Sequence, residues 1–92
     1  MRKLLLILLL LPLISFGQSG IEDLLERGNA KYDLEDYSGA IEDYTKAIEL
    51  DPENASAYLF RGLSKYFLDN ESEAITDFTK AIELDPENAS AY

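Results

Sequence analysis

The block TKAIELDPENASAY stands at Thr45–Tyr58 and again, unchanged, at Thr79–Tyr92. The two copies lie 34 residues apart, and aligning residues 21–54 with 55–88 at that offset gives 20 identities over 34 positions. Chance does not produce a 14-residue identity at a fixed spacing. A period of this length is the mark of a chain built from stacked supersecondary units rather than from one irregular core.

Each unit reads as two helices. In the first, a helix is expected over Ile21–Leu34, with Leu24, Leu25, Gly28, Tyr32 and Leu34 close to one face. Ser19 followed three residues later by Glu22 has the pattern of a capping box at its start. Asp33–Tyr37 is short and polar, which suits a helix–helix turn. A second helix follows from about Ser38 to Leu50, with Ala40, Ile41, Tyr44, Ala47 and Ile48 at helical spacing. Asp51-Pro52 ends it, because the residue before proline is driven out of the α region. The second unit repeats this over Ala55–Leu68 and Ser72–Leu84, with Asn70 and Glu73 as the expected cap. No stretch alternates with period two, so strands are not expected. Gly28 with Ala40, and Gly62 with Ala74, allow close approach of antiparallel helices, while Tyr44 and Phe78 supply bulk. Glycine in a helix costs about 1 kcal/mol against alanine, and its recurrence at 34 residues implies a packing reason.

The N-terminus is different in kind. Arg2 and Lys3 precede the nearly continuous apolar run Leu4–Phe16, and Ser15 and Gly17 place small side chains at −3 and −1 before Gln18. This is the layout of a signal peptide over residues 1–17. As a membrane anchor the run is short of the roughly 20 apolar residues a bilayer requires, and Pro12 interrupts it. The expectation is export to the periplasm, outer envelope or medium, without stable membrane insertion after cleavage. Removing Arg2 and Lys3 leaves 6 basic residues against 18 acidic ones, net −12. Such a surface repels nucleic acid, whose binding requires phosphate neutralisation, and it disfavours anionic membranes. It favours solubility, a solvated acidic surface being the plainer reading, with basic partners as the alternative.

Catalysis finds little support. The chain has no His and no Cys, which removes the commonest general base, the thiol nucleophile, most transition-metal sites and any disulfide. No Gly-rich phosphate loop is present. Asp69-Asn70-Glu71-Ser72-Glu73 lacks the length and central glycine of a calcium loop, and a helix-capping turn accounts for it better. No enzyme activity, metal or cofactor is expected. Arg27, Lys31 and Asp43 recur as Arg61, Lys65 and Asp77, and are read as exposed scaffold pairs contributing about 0–1 kcal/mol each.

The unit resembles the tetratricopeptide repeat. That family sets a large residue, glycine, an aromatic, alanine, an aromatic, alanine and proline in order along 34 residues. Here these places hold Leu24, Gly28, Lys31, Ala40, Tyr44, Ala47 and Pro52, then Tyr58, Gly62, Lys65, Ala74, Phe78, Ala81 and Pro86. Lys31 and Lys65 depart from the aromatic, though Tyr32 and Tyr66 follow them. Arg27 and Arg61 replace a usual leucine. Glu35 and Asp69 stand where a turn glycine is common, so an altered helix ending is expected.

The resemblance implies an all-α fold, an α-solenoid of antiparallel helix pairs preceded by the signal peptide. Its parts are a leader at 18–20, units at 21–54 and 55–88, and the start of a third at 89–92. It also implies a groove, lined by the first helix of each unit, that binds a protein or peptide. Groove-facing candidates are Leu25, Asn29, Tyr32 and Asp33, then Leu59, Leu63, Tyr66 and Phe67. Cover of Leu59, Leu63 and Tyr66 by a neighbouring repeat is the somewhat favoured alternative, because stacked arrays bury much of this kind of face. The family's clamp for a C-terminal carboxylate needs Lys and Asn on these helices. Asn29 matches, but Leu25 and Phe60 occupy two other clamp places, so that clamp is not expected. Two units are few for a stable stack, and the chain reads as the N-terminal piece of a longer protein, or as self-associating through its open C-terminal end. An accessory segment of an exported enzyme or sensor, and a self-assembling structural unit, are the other function classes.

Overall fold

The computed structural model describes residues 20–89. The expected signal peptide over residues 1–17, the Ser19 half of the first expected capping box and residues 90–92 lie outside that range. Within it the chain is all helix and turn: α1 over 20–33, α2 Tyr37–Leu50, α3 Ala55–Phe67, α4 Glu71–Leu84 and a single turn α5, Pro86–Ala89.

Successive helices pack antiparallel. Across α1 and α2, Gly28 faces Tyr44 while Lys31 faces Gly39. Across α3 and α4, Gly62 faces Phe78 and Lys65 reaches Glu73. The pairs stack because α3 also lies along α2, with Phe60 over Tyr44 and Phe67 over Tyr37. Ala40, Ala47, Ala57, Ala74 and Ala81 form most of the buried apolar core, so the backbones come together on small side chains. Tyr44 is the large side chain fully enclosed there.

Caps fix the boundaries. The Asp36 carboxylate accepts from Gly39 N at 3.1 Å, which starts α2 at Tyr37 and shortens the expected turn. Asn54 accepts from Ala57 N at 3.0 Å and starts α3. Asn70 departs from expectation. It is the N-cap residue of α4, but its side chain accepts no backbone N–H and its amide donates to Glu73 instead. Glu71 and Glu73 in the first turn lie against the positive end of the helix. Asp51 and Asp85 leave the α region, with φ of −143° and −144°, as the following proline favours.

The turns at Glu35 and Asp69 keep glycine's geometry without glycine. Both have φ of 64°. Asp36 N donates to Lys31 O at 2.8 Å and Glu35 N to Tyr32 O at 2.9 Å; Asn70 N to Lys65 O and Asp69 N to Tyr66 O repeat the pattern. This is the Schellman ending, so the helix termini are not altered. Two backbone hydrogen bonds per turn outweigh the left-handed strain, which for a residue with a Cβ is about 1–2 kcal/mol. Glu35→Gly is therefore expected to raise stability by about 1 kcal/mol, read as a higher urea midpoint. A lower midpoint means that Glu35 carries an interaction beyond the strain.

The two units differ in cover. Ile41 and Ile48 on α2, against which α3 packs, are half-buried, whereas their repeats on α4, Ile75 and Ile82, are 62% and 50% exposed.

Candidate functional site

The groove-facing candidates sit on α1 and α3 at i, i+4 and i+7, which aligns them on one face of each helix. Leu25, Tyr32, Leu59 and Leu63 are half-buried, and Asn29 and Asp33 are exposed. Tyr66 and Phe67 are 52% and 49% exposed. The structure brings Tyr32 and Phe67 together across the helices, with ring centroids 6.1 Å apart and edge-on, and Tyr66 packs edge-on to Phe67 at 5.7 Å.

Two further rings complete this cluster, and neither was among the expected site residues. Tyr37 stacks on Phe67 at 5.0 Å and meets Tyr32 at 5.6 Å. Phe60 lies 5.9 Å from Tyr32 and 6.1 Å from Tyr44. The rings run continuously from Tyr44 in the core to Tyr66 at the surface, and edge-to-face pairs of this kind add about 0.5–1.5 kcal/mol beyond area burial. Phe67 thus has one side committed to holding the units together, and Tyr66 is the freer face. Periodicity could have flagged Phe60, since it lies seven residues before Phe67 on the same side of α3. Tyr37 gave no such signal, because it stands in the stretch that reads as a turn.

Asn29 has a definite partner. Its Oδ1 accepts from the Tyr44 hydroxyl at 2.6 Å. Burial, followed by the charges of Tyr32, Asp33 and Asp43, pushes the Tyr44 hydroxyl well above its ordinary pKa, so it stays a donor. What Asn29 can offer a ligand is its amide N–H groups. In the second unit the same two places hold Leu63 and Phe78, an apolar pair in place of a polar one.

The recurring charges are not exposed pairs. Asp43 and Asp77 are buried, at the centre of each helix pair. Arg61 donates to Asp77 from Nε and Nη2, both at 2.8 Å, and Lys65 Nζ lies 3.0 Å away. Arg61 also donates to Thr45 on α2 at 3.3 Å and lies over the Tyr58 ring. Burial raises the Asp77 pKa, but the hydrogen bonds and charges of Arg61 and Lys65 outweigh it, and the net shift is downward. The first unit is looser. Arg27 reaches Asp43 through one contact of 3.4 Å. Lys31 Nζ lies 3.0 Å from Asp43 Oδ2 as an ion pair, off hydrogen-bonding alignment, so Oδ2 is buried without a directed donor. The expected surface value of about 0–1 kcal/mol therefore does not apply to Asp77, because desolvated charges lose heavily when a partner is removed.

With this geometry in place, two family models match: TPR repeat over residues 28–68 and Tetratricopeptide repeat over residues 55–88. Together they cover residues 28–88, from the middle of α1 to beyond the end of α4. The chain belongs to the tetratricopeptide repeat family. No curated protein matches it significantly.

Tetratricopeptide repeats generally mediate protein–protein interaction, and proteins built from them are typically non-catalytic scaffolds. In the present repeats the buried Asp43 and Asp77 are held in ion pairs, and among the described residues no three His, Cys, Asp or Glu side chains are placed to hold a metal ion. No helix among the described residues is long and apolar enough to cross a membrane. The carboxylate clamp of the family has no counterpart at Phe60, whose ring is packed between Tyr32 and Tyr44.

Proposed function

We propose that this tetratricopeptide-repeat chain is an exported module that binds a protein or peptide segment along the face formed by α1 and α3. The observation that carries this reading is the half-exposed Tyr66–Phe67 pair. The core is closed by alanines and Tyr44, so Tyr66 is not needed to fill it. An aromatic side chain packed against a second ring and open to solvent on one side is the kind of anchor that dominates interfaces. The half-buried Leu59 and Leu63 extend this apolar strip along α3, and Leu25 and Tyr32 continue it on α1.

The test compares the chain with a variant carrying Leu63→Ser and Tyr66→Ser in cross-linking and pull-down. The variant is expected to retain the helicity of the parent and to lose at least about tenfold in capture, as replacement of a central anchor does. Equal capture by parent and variant sinks the reading. Export rests on the charged start, apolar run and small residues of positions 1–17. An exported product whose first residue is not Gln18 contradicts the cleavage site.

A further inference from the structure

The two helices that form this face differ in chemistry. On α1, Glu22, Asn29 and Asp33 stand at i, i+7 and i+11, on one side of the helix, and all three are exposed. On α3 the same places hold Ser56, Leu63 and Phe67, with no charge among them. The difference extends beneath the surface. Asn29 is held by the hydroxyl of Tyr44, with Asp33 near enough to act on that hydroxyl, whereas Leu63 has Phe78 in the place of Tyr44. The acidic strip and the apolar strip are joined by the Tyr32–Phe67 contact, so one ligand can touch both.

We infer that the groove selects a segment with mixed character, placing Lys or Arg against Glu22 and Asp33 of α1 and aromatic or aliphatic residues against Leu63, Tyr66 and Phe67 of α3. The inference rests on the reading of this face as a peptide site. Asn29, whose Oδ1 is already engaged, directs its amide N–H groups to a backbone carbonyl of the segment. Packed helices run about 8–10 Å apart, and extended chain advances about 3.3 Å per residue. A basic residue about three positions from the apolar anchor therefore spans the two strips. Net charge supports this choice of partner. At −10 overall the chain repels acidic segments, and a second copy presents the same acidic surface.

A random twelve-residue peptide library selected on the chain tests the inference. The expected result is enrichment of Lys or Arg within about three or four residues of Phe, Tyr, Trp or Leu. A synthetic peptide of the enriched sequence is then measured on the Glu22→Gln, Asp33→Asn double variant, in which two exposed charges are lost and the helices are expected to remain. Its affinity should fall by about three- to tenfold at low salt, and that difference should shrink in 0.5 M sodium chloride, as it does for rim charges. The Leu63→Ser, Tyr66→Ser variant should abolish its binding. Apolar peptides enriched without basic residues, or equal affinity for the charge variant, overturn the mixed-segment inference while the groove reading stands. Binding that survives Leu63→Ser, Tyr66→Ser places the peptide elsewhere and overturns both, as does a selection with no enrichment.

Discussion

Arg61→Met is expected to lower the stability of the protein by about 3 kcal/mol, whereas Arg27→Met, the same substitution one repeat earlier, costs at most about 1 kcal/mol. The sequence environments of the two arginines are alike, and each faces an aspartate 16 residues on. Their surroundings are not. Arg61 is only 17% exposed at its side chain and makes two hydrogen bonds to the buried Asp77, one to Thr45 and a contact with the Tyr58 ring. Arg27 is 52% exposed, with one long contact to Asp43. Removing Arg61 leaves a carboxylate in a desolvated site with Lys65 as its remaining partner, and it removes the hydrogen bond from α3 to Thr45 on α2. Urea unfolding of the two variants checks this, and equal midpoint changes contradict it.

The same ion pair sets a pH dependence. The folded pKa of Asp77 lies below its unfolded value of about 3.9. Its contribution is therefore fully present above about pH 4 and is lost as pH falls from there through the folded pKa. As pH falls below about 4 the parent protein should lose stability more steeply than Arg61→Met, in which much of that contribution is already gone. Parallel slopes mean that Asp77 is not the group responsible.

These residues show where a sequence reading reaches its limit. The helix pairs were legible because the small residues at Gly28, Ala40, Gly62 and Ala74 recur at the repeat spacing and occupy the buried seam. The charges recur at the same spacing, but periodicity does not say which side of a helix a charge faces. Only the antiparallel crossing brings Arg61 and Lys65 from one helix onto Asp77 of the next. Asn29 presents the same difficulty. Its place on α1 makes it a groove candidate, and it is exposed, yet the crossing also delivers the Tyr44 hydroxyl to it. Tyr37 was hidden for another reason. Asp36 caps α2 earlier than the polar stretch suggests, and this turns a nominal loop residue into the first residue of a helix, stacked on Phe67. The candidate positions on α1 and α3 were legible as a strip. How much of each side chain remains open was not, because that depends on the rings of the neighbouring helix.

Gly62→Ala is expected to destabilise the protein by about 1–2 kcal/mol, against the gain of about 1 kcal/mol that alanine gives in an exposed helix. A Cβ on Gly62 meets Phe78 Cε1 at 2.7 Å and Cδ1 at 2.8 Å, and the Ala74 carbonyl oxygen at 3.2 Å. Phe78 is half-buried and can turn, but the Ala74 oxygen belongs to the α4 backbone and yields only if the helix moves. Overpacking of this kind costs about 1–3 kcal/mol, which exceeds the propensity gain. Gly28 offers a comparison, since its Cβ meets only ring atoms of Tyr44, the nearest at 2.7 Å, with no backbone among its three closest neighbours. Phe78→Leu should therefore rescue Gly62→Ala in part, with a coupling of at least about 0.5 kcal/mol, leaving the clash with Ala74 in place. Thermal or urea unfolding of the two single variants and the double variant reads all three values. A Gly62→Ala protein more stable than its parent shows that α3 and α4 can separate at no cost. In that event the close approach of the helices is not what keeps glycine at this position.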